Sequence, residues 1–332
     1  MHGRRLERQP AVQGRSYIMA NIEVHIGVDV SKETLDIFNP SDSKWSKSRN
    51  TKTATLAFVR KIKARHPGAM ICCESTGGYE RTLMDACREE GQPFCIMNAQ
   101  QVRHYAQHLG LLEKNDKVDA RTIAMAANDK KPAAFVHPTQ EQRERKELWT
   151  LRATLMAARD AASNQLEHLR EKGAIAAVKR LVRAYDKEIE KLGGLCRGLI
   201  VKDERDSGFV KRAQKVKSVG ELTALGVVTL MPEIYILDDK KLSKLAGVAP
   251  LCDQSGKNDG ARHIQKGRTM VRHILYMAAL SASRHNEILS ALYKRLLKAG
   301  KAKKAALVAV MRRLLCLLRR IAQDPGFIPL ET

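Results

Sequence analysis

The sequence predicts an α/β domain with a mixed sheet, then a long helical, coiled-coil-like spacer and a helical C-terminal domain. Three patterns carry that reading. Apolar residues alternate one by one at Val24, Ile26, Val28 and Val30, the period of a strand with one buried face. Short apolar runs and helix-like segments then take turns as far as about Pro132, the order of a sheet covered by helices. Beyond Thr139 the apolar spacing becomes three and four, at Leu148, Leu151, Leu155, Ala158, Ala162 and Leu169.

Taken in order, the first strand carries Asp29 on the face opposite its valines. Ser31, Lys32 and Glu33 turn the chain into a second strand over Thr34–Phe38. A helix is expected over 53–65, followed by a short buried-type strand, AMICC at 69–73, which ends at Glu74 and a Ser-Thr-Gly-Gly loop. A helix near 79–90 and a strand at 93–97 follow. After Gly173 the residues Ile175, Val178, Val182, Tyr185, Ile189 and Leu192 mark a second long helix, either antiparallel to the first or continuing it. From Gly208 the chain reads as helical, with a Gly-rich basic loop at 255–268. Lys217, Ser218, Val219 and Gly220, before the apolar run 222–230, read either as a helix-hairpin-helix turn or as a Gly-capped core helix. The boundaries are then a disordered or mis-started leader at 1–20, the α/β domain at 21–135, the spacer at 139–204 and the helical domain at 208–330.

Charge narrows the function. The 332 residues carry 59 Lys and Arg against 36 Asp and Glu, a formal net charge of +23, which makes nucleic acid or another polyanion the natural partner. Sixteen Lys or Arg against two acids between Lys257 and Arg320 place +14 of that excess in one stretch. The seven cysteines show no paired spacing and suit a reduced, cytoplasmic setting. No apolar run reaches the roughly 18 residues of a membrane span, so no membrane partner is expected.

Against this basic background four acids occupy favourable places: Asp29 on the first strand, Glu74 at a strand end, and Asp116 with Asp119 three apart at a helix start. Two Mg²⁺ ions about 4 Å apart need such a ring of hard oxygen donors, and Mn²⁺ would substitute. Singly, each acid also reads as a turn former or a helix-terminus charge. Asp36 and Asp85 are set aside, one on the second strand of the hairpin and the other on a solvated helix face.

The segments IGVDVSKETLD at 26–36, ESTGGY at 74–79 and KNDKVDAR at 114–121 resemble the DEDD transposases of bacterial insertion sequences. That resemblance implies a RuvC-type RNase H fold at the N-terminus, Asp29, Glu74, Asp116 and Asp119 as the metal-binding tetrad, and site-specific recombination of donor and target DNA guided by a bridge RNA. It also implies a composite site in an oligomer, a homodimer or homotetramer.

The resemblance continues through LAGVAP at 245–250, DQSGK at 253–257, Gly260, Ala261, Arg262, Gly267, Arg268 and VRHILY at 271–276. From the residues alone, Ser255 in a Gly-rich basic loop reads as a phosphate contact. The resemblance makes it the nucleophile of a phosphoserine intermediate. A serine hydroxyl is weak at neutral pH, so metal and dense positive charge would have to activate it. Lys257, Arg262, Lys266, Arg268 and Arg272 are the expected nucleic-acid contacts. His263 and His273 are possible bases that read more simply as polar contacts. The alternatives are a RuvC-like structure-selective DNA nuclease using water, an actin-like small-molecule kinase whose first strand also reads Gly-x-Asp, and a non-catalytic nucleic-acid scaffold.

Overall fold

The computed structural model describes residues 22, 24–111, 116–135, 137–250, 254–255, 258–259 and 263–327, with backbone only at 116–118, 254–255 and 258–259. The expected leader at 1–20, Lys257 and Arg262 lie outside the described residues. Chain contacts divide the protein into two compact units, Met1–His137 and Pro138–Thr332.

The first unit runs β1 (Val24–Val30), β2 (Thr34–Asn39), β3 (Lys44–Arg49), α1 (Lys52–Arg65), β4 (Ala69–Glu74), α2 (Arg81–Glu90), β5 (Phe94–Met97), α3 (Ala99–His108) and α4 (Asp116–Lys130). Its strands form one sheet in the order β3-β2-β1-β4-β5. β1, β2 and β3 are joined antiparallel, while β4 and β5 run parallel to β1. This mixed sheet with helices on both faces is the α/β arrangement expected from the sequence.

Strand alternation sorts the side chains. Ile26, Val28, Val30, Leu35, Ile37, Ile71, Cys73 and Phe94 face α1 and α2, where they meet Val59, Ile62, Leu83 and Cys87. On the other face Met70, Cys72, Cys95 and Met97 meet Val102 of α3 and Ile123, Ala126 and Ala127 of α4. Phe38 packs under Ala120 and Ala124. Helix ends are set locally: Thr51 and Asn98 cap α1 and α3 through their side-chain oxygens, and Gly91 ends α2 with a φ of 67°.

The second unit begins with α5 (Gln140–Gln165) and α6 (Lys172–Val201). Thr139 and Gln142 form a reciprocal capping box at the start of α5. The two helices are antiparallel, since Arg145 meets Cys196, Arg152 lies beside Gly193 and Arg159 reaches Asp186. Then come α7 (Glu204–Ala213), α8 (Glu221–Leu230), a 3₁₀ turn (Pro232–Tyr235), α9 (Asp239–Ala246), the two-residue strands β6 (Gln254–Ser255) and β7 (Asn258–Asp259), α10 (Thr269–His285), α11 (Glu287–Lys298) and α12 (Lys303–Gln323).

Trp149 of α5 and Cys196 and Ile200 of α6 belong to the same apolar core as α7, α8, α10 and α12. The segment 139–204 therefore shares its base with the C-terminal helices, and the unit boundary falls at His137. Arg145, 3% exposed, meets Asp206 at 2.6 Å, and the Tyr235 hydroxyl donates to the same carboxylate at 2.7 Å. Burial first, then the Asp206 charge, pushes the Tyr235 phenol far up, so it stays protonated as that donor.

Candidate active site

Asp29 is the penultimate residue of β1, and Glu74 is the last of β4. These strands are parallel and Val28 pairs with Cys73, so one further step brings Asp29 and Glu74 side by side at neighbouring strand ends. Two residues back on each strand, Gly27 and Cys72 lie on the face covered by α4, and alternation puts both acids on that face too. Both are half-buried.

Gly27 is what lets α4 approach. A Cβ there would run into the Ala120 carbonyl and stand 2.7 Å from the Ala124 amide nitrogen, so strand and helix backbones touch. At the other end of α4, Lys131 is close enough to His25 for its charge to add to the burial that lowers the imidazole pKa. The helix therefore runs antiparallel to β1. From Ala120 it extends back about 6 Å to Asp116, at roughly 1.5 Å per residue. From Gly27 the strand extends on about 7 Å to Asp29, at roughly 3.3 Å per residue. The first turn of α4 is thus level with the two strand-end acids.

Helical period divides that turn. Asp116 is in line with Ala120 and Ala124, which cover β1 and β2, whereas half-buried Asp119 is in line with Ile123 and Ala126, which cover β4 and β5. Among the described residues no three His, Cys, Asp or Glu side chains are gathered as a metal-binding group. The side chain of Asp116, the fourth of the expected set, lies outside them. Four carboxylates are hard oxygen donors of the kind Mg²⁺ and Mn²⁺ prefer, so this set fits a hard divalent ion.

Asp36, set aside on sequence, belongs to the same neighbourhood. It is directly opposite Asp29 in the β1–β2 pairing and holds Lys47 of β3 at 3.1 Å. Lys47, Asp36, Asp29 and Glu74 therefore form one row across the sheet. Only the hairpin register, which aligns residues on different strands, could have revealed this.

The loops that leave the two acid-bearing strands are tied together. Asn50, between β3 and α1, donates through Nδ2 to the Ser31 carbonyl at 2.9 Å and to the Tyr79 carbonyl at 3.1 Å. Glu80 braces the second loop from inside, accepting from the amides of Thr76 and Gly78 at 3.3 and 2.8 Å. Burial pushes the Glu80 carboxyl up, but these bonds and the Thr76 hydroxyl outweigh it, and its pKa falls below the usual glutamate value.

In the second unit Ser255 pairs with Asn258, closing the small β6–β7 hairpin. The loop that bears it is pinched at its base by two left-handed glycines in contact, Gly247 and Gly267, both with φ of 72°. The Arg268 amide donates to the Leu245 carbonyl at 3.1 Å, and Arg272 donates to the Lys266 carbonyl. The Arg268 guanidinium makes a two-pronged pair with Glu233 at 2.7 and 2.6 Å and also reaches the Leu230 carbonyl at the end of α8. Arg268 is thus committed to the loop base. His263 and His273, the possible bases, precede and lie within α10.

Comparison with known proteins shows the family into which the chain falls. A DEDD transposase model of IS110-type elements matches residues 26–171, and a model described as "Transposase IS116/IS110/IS902 family" matches residues 210–294. Together they span well over half of the sequence. The chain belongs to this transposase family.

Similar proteins include the transposase for insertion sequence element IS1111A of Coxiella burnetii, 24% identical over 300 residues, with 80% of this chain and 79% of that one covered. The pilin gene-inverting protein of Moraxella lacunata is 24% identical over 317 residues, covering 88% and 94%. Among solved structures, Thermus thermophilus RuvC, alone and with a Holliday junction substrate, aligns at 15% identity over 33% of this chain and 98% or 97% of its own, with TM-scores of 0.27 and 0.26. The family follows from the sequence matches over residues 26–171 and 210–294. The transposase is a DNA-recombining enzyme, which decides against the small-molecule kinase and the non-catalytic scaffold. Among its described residues no helix is long and apolar enough to cross a membrane.

Proposed function

We propose that this transposase cuts and rejoins donor and target DNA through a phosphoserine link at Ser255, with Asp29, Glu74, Asp116 and Asp119 holding divalent metal, Mg²⁺ in the cell. The observation that carries it is the alignment of Asp29 and Glu74 at adjacent strand ends under the first turn of α4. Bound divalent metal would supply Lewis acidity and charge neutralisation at the scissile phosphate.

The protein's own groups have distinct tasks. Asp29 and Glu74 sit on strands locked by sheet pairing, and the Asn50 and Glu80 bonds hold the following loops still, so the acids are preorganised. Ser255 Oγ attacks phosphorus; the Oγ–P bond forms as a P–O bond of the DNA strand breaks, and the released strand carries away the proton as a hydroxyl. Attack by the hydroxyl of another strand reverses the exchange and regenerates the serine. Phosphodiester energy is kept in the link, and no ATP is consumed. Lys257, Arg262, Lys266 and Arg272 neutralise backbone phosphate around the loop.

Target choice belongs to a bridge RNA, and a homodimer or homotetramer in the cytoplasm assembles the acids of one protomer with the serine of another. The family resemblance supports both points, and 5% aromatic content fits RNA held through backbone and shape. Labelled donor DNA incubated with Mg²⁺ and the copurifying RNA should give a protein–DNA adduct that survives SDS and is lost in Ser255→Ala. Cleavage without an adduct would instead identify a RuvC-like nuclease using water. Mixing inactive Ser255→Ala and Asp29→Ala proteins should restore part of the strand exchange; no recovery would place the site within one protomer.

A further inference from the structure

The outermost strand of the first unit carries a stripe with no role in the chemistry above. In β3, KWSKSR, the residues Trp45, Lys47 and Arg49 alternate onto one face, and pairing places them beside Phe38, Asp36 and Thr34. That face is the one bearing Asp29 and Glu74, because Asp36 opposes Asp29 and Phe38 lies under α4. Trp45 rests on Phe38 with ring centroids 4.6 Å apart, yet 44% of it remains exposed. Lys47 is more than half exposed, and Arg49 is exposed.

Edge strands often carry lysines that discourage pairing with another sheet. A large indole only partly covered offers no such protection. A rigidly backed aromatic, with two cations following it at two-residue intervals, is what an unpaired nucleic-acid strand requires: a ring for a base to stack on and charges for the phosphates. The stripe also has a fixed position. Lys47 is two strands from Asp29, about 10 Å at roughly 4.8 Å per strand, and Asp36 holds its ammonium toward the acids.

From this arrangement we infer that the β3 edge binds unpaired DNA next to the scissile phosphate, with a base stacked on Trp45 and phosphates on Lys47 and Arg49. The inference rests on the proposed acid site and adds to it the substrate form, a locally melted strand.

The chain has two tryptophans, and Trp149 is 5% exposed, so Trp45 is the accessible fluorophore. Titrating the full-length protein with an oligothymidylate of about twelve nucleotides, within the span of known single-strand sites, should quench its emission. Trp45→Phe, which keeps the contact with Phe38, should abolish the quench and retain binding measured by anisotropy of labelled oligonucleotide. Trp45→Leu should bind roughly tenfold more weakly, as expected for a lost stacking platform. Lys47→Ala and Arg49→Ala should each lower the salt slope by about 0.7, the single-strand value per phosphate contact. Saturation without quenching, wild-type affinity in Trp45→Leu with its circular dichroism intact, or preference for oligouridylate over the DNA would each overturn the inference. Binding needs no chemistry, so wild-type strand exchange without quenching would sink the stripe alone, whereas quenching with no exchange would sink the acid site alone.

Discussion

Gly27 of β1 and Ala120 of α4 are in backbone contact, and this single close approach sets the height of the helix turn bearing Asp116 and Asp119 above Asp29 and Glu74. Gly27→Ala would force the helix off the strand. Overpacking of this kind costs about 1–3 kcal/mol. The variant should still fold, with a lowered melting temperature, but lose strand exchange almost completely. Activity close to wild type would show that the turn need not sit at that height.

The pinched base of the serine loop predicts a second outcome. Gly247 and Gly267 both have left-handed backbones, and a Cβ on either would strike the other's chain segment. Gly267→Ala should cost at least about 1 kcal/mol from backbone strain. It should also abolish the SDS-resistant adduct while leaving helical content unchanged in circular dichroism.

Arginines in the basic segment should separate into two classes. Arg268 is tied to Glu233 and the Leu230 carbonyl, so Arg268→Ala should lower stability by about 1.5–3 kcal/mol, the range for hydrogen bonds to charged groups. Its effect on the salt dependence of DNA binding should be small. Arg262→Ala should do the reverse, lowering the salt slope by about 1 with an unchanged melt.

His25 gives a pH signature. It is 4% exposed, its Nδ1 finds no hydrogen-bond partner among the described residues, and burial followed by the Lys131 charge lowers its pKa. The unfolded chain, with a value of about 6.5, takes up a proton that the folded protein resists. Stability should therefore fall as pH drops through about 6.5 toward the folded value, and be fully present above it. The melting temperature should decline from pH 7.5 to about 5.5, and His25→Gln should flatten part of that decline.

The sequence made some of this architecture readable and hid the rest for physical reasons. The β1–β2 hairpin and the strands ending in Glu74 and Met97 announce themselves by apolar alternation or short apolar runs. β3 does not, because an exposed edge strand reading KWSKSR has no buried face to generate a period. α3 was equally silent, with Val102 its one buried residue. The acids can be picked out by residue type and local position, but the alignment of Asp29 with Glu74 depends on parallel pairing between strands some 45 residues apart, and the closeness of α4 depends on the absence of a side chain at Gly27. Asp36 gives no local sign of its place, because nothing near it in the chain says that it opposes Asp29. Likewise, Arg268 reads as a phosphate ligand because Glu233, 35 residues away, is invisible to local reading.

The touching glycines at 247 and 267 have an evolutionary corollary. A segment whose two ends already meet can be exchanged for one of different length or composition without asking the surrounding helices to move. Sequence change between the two glycines therefore stops at this joint and leaves the packing of the flanking helices as it is.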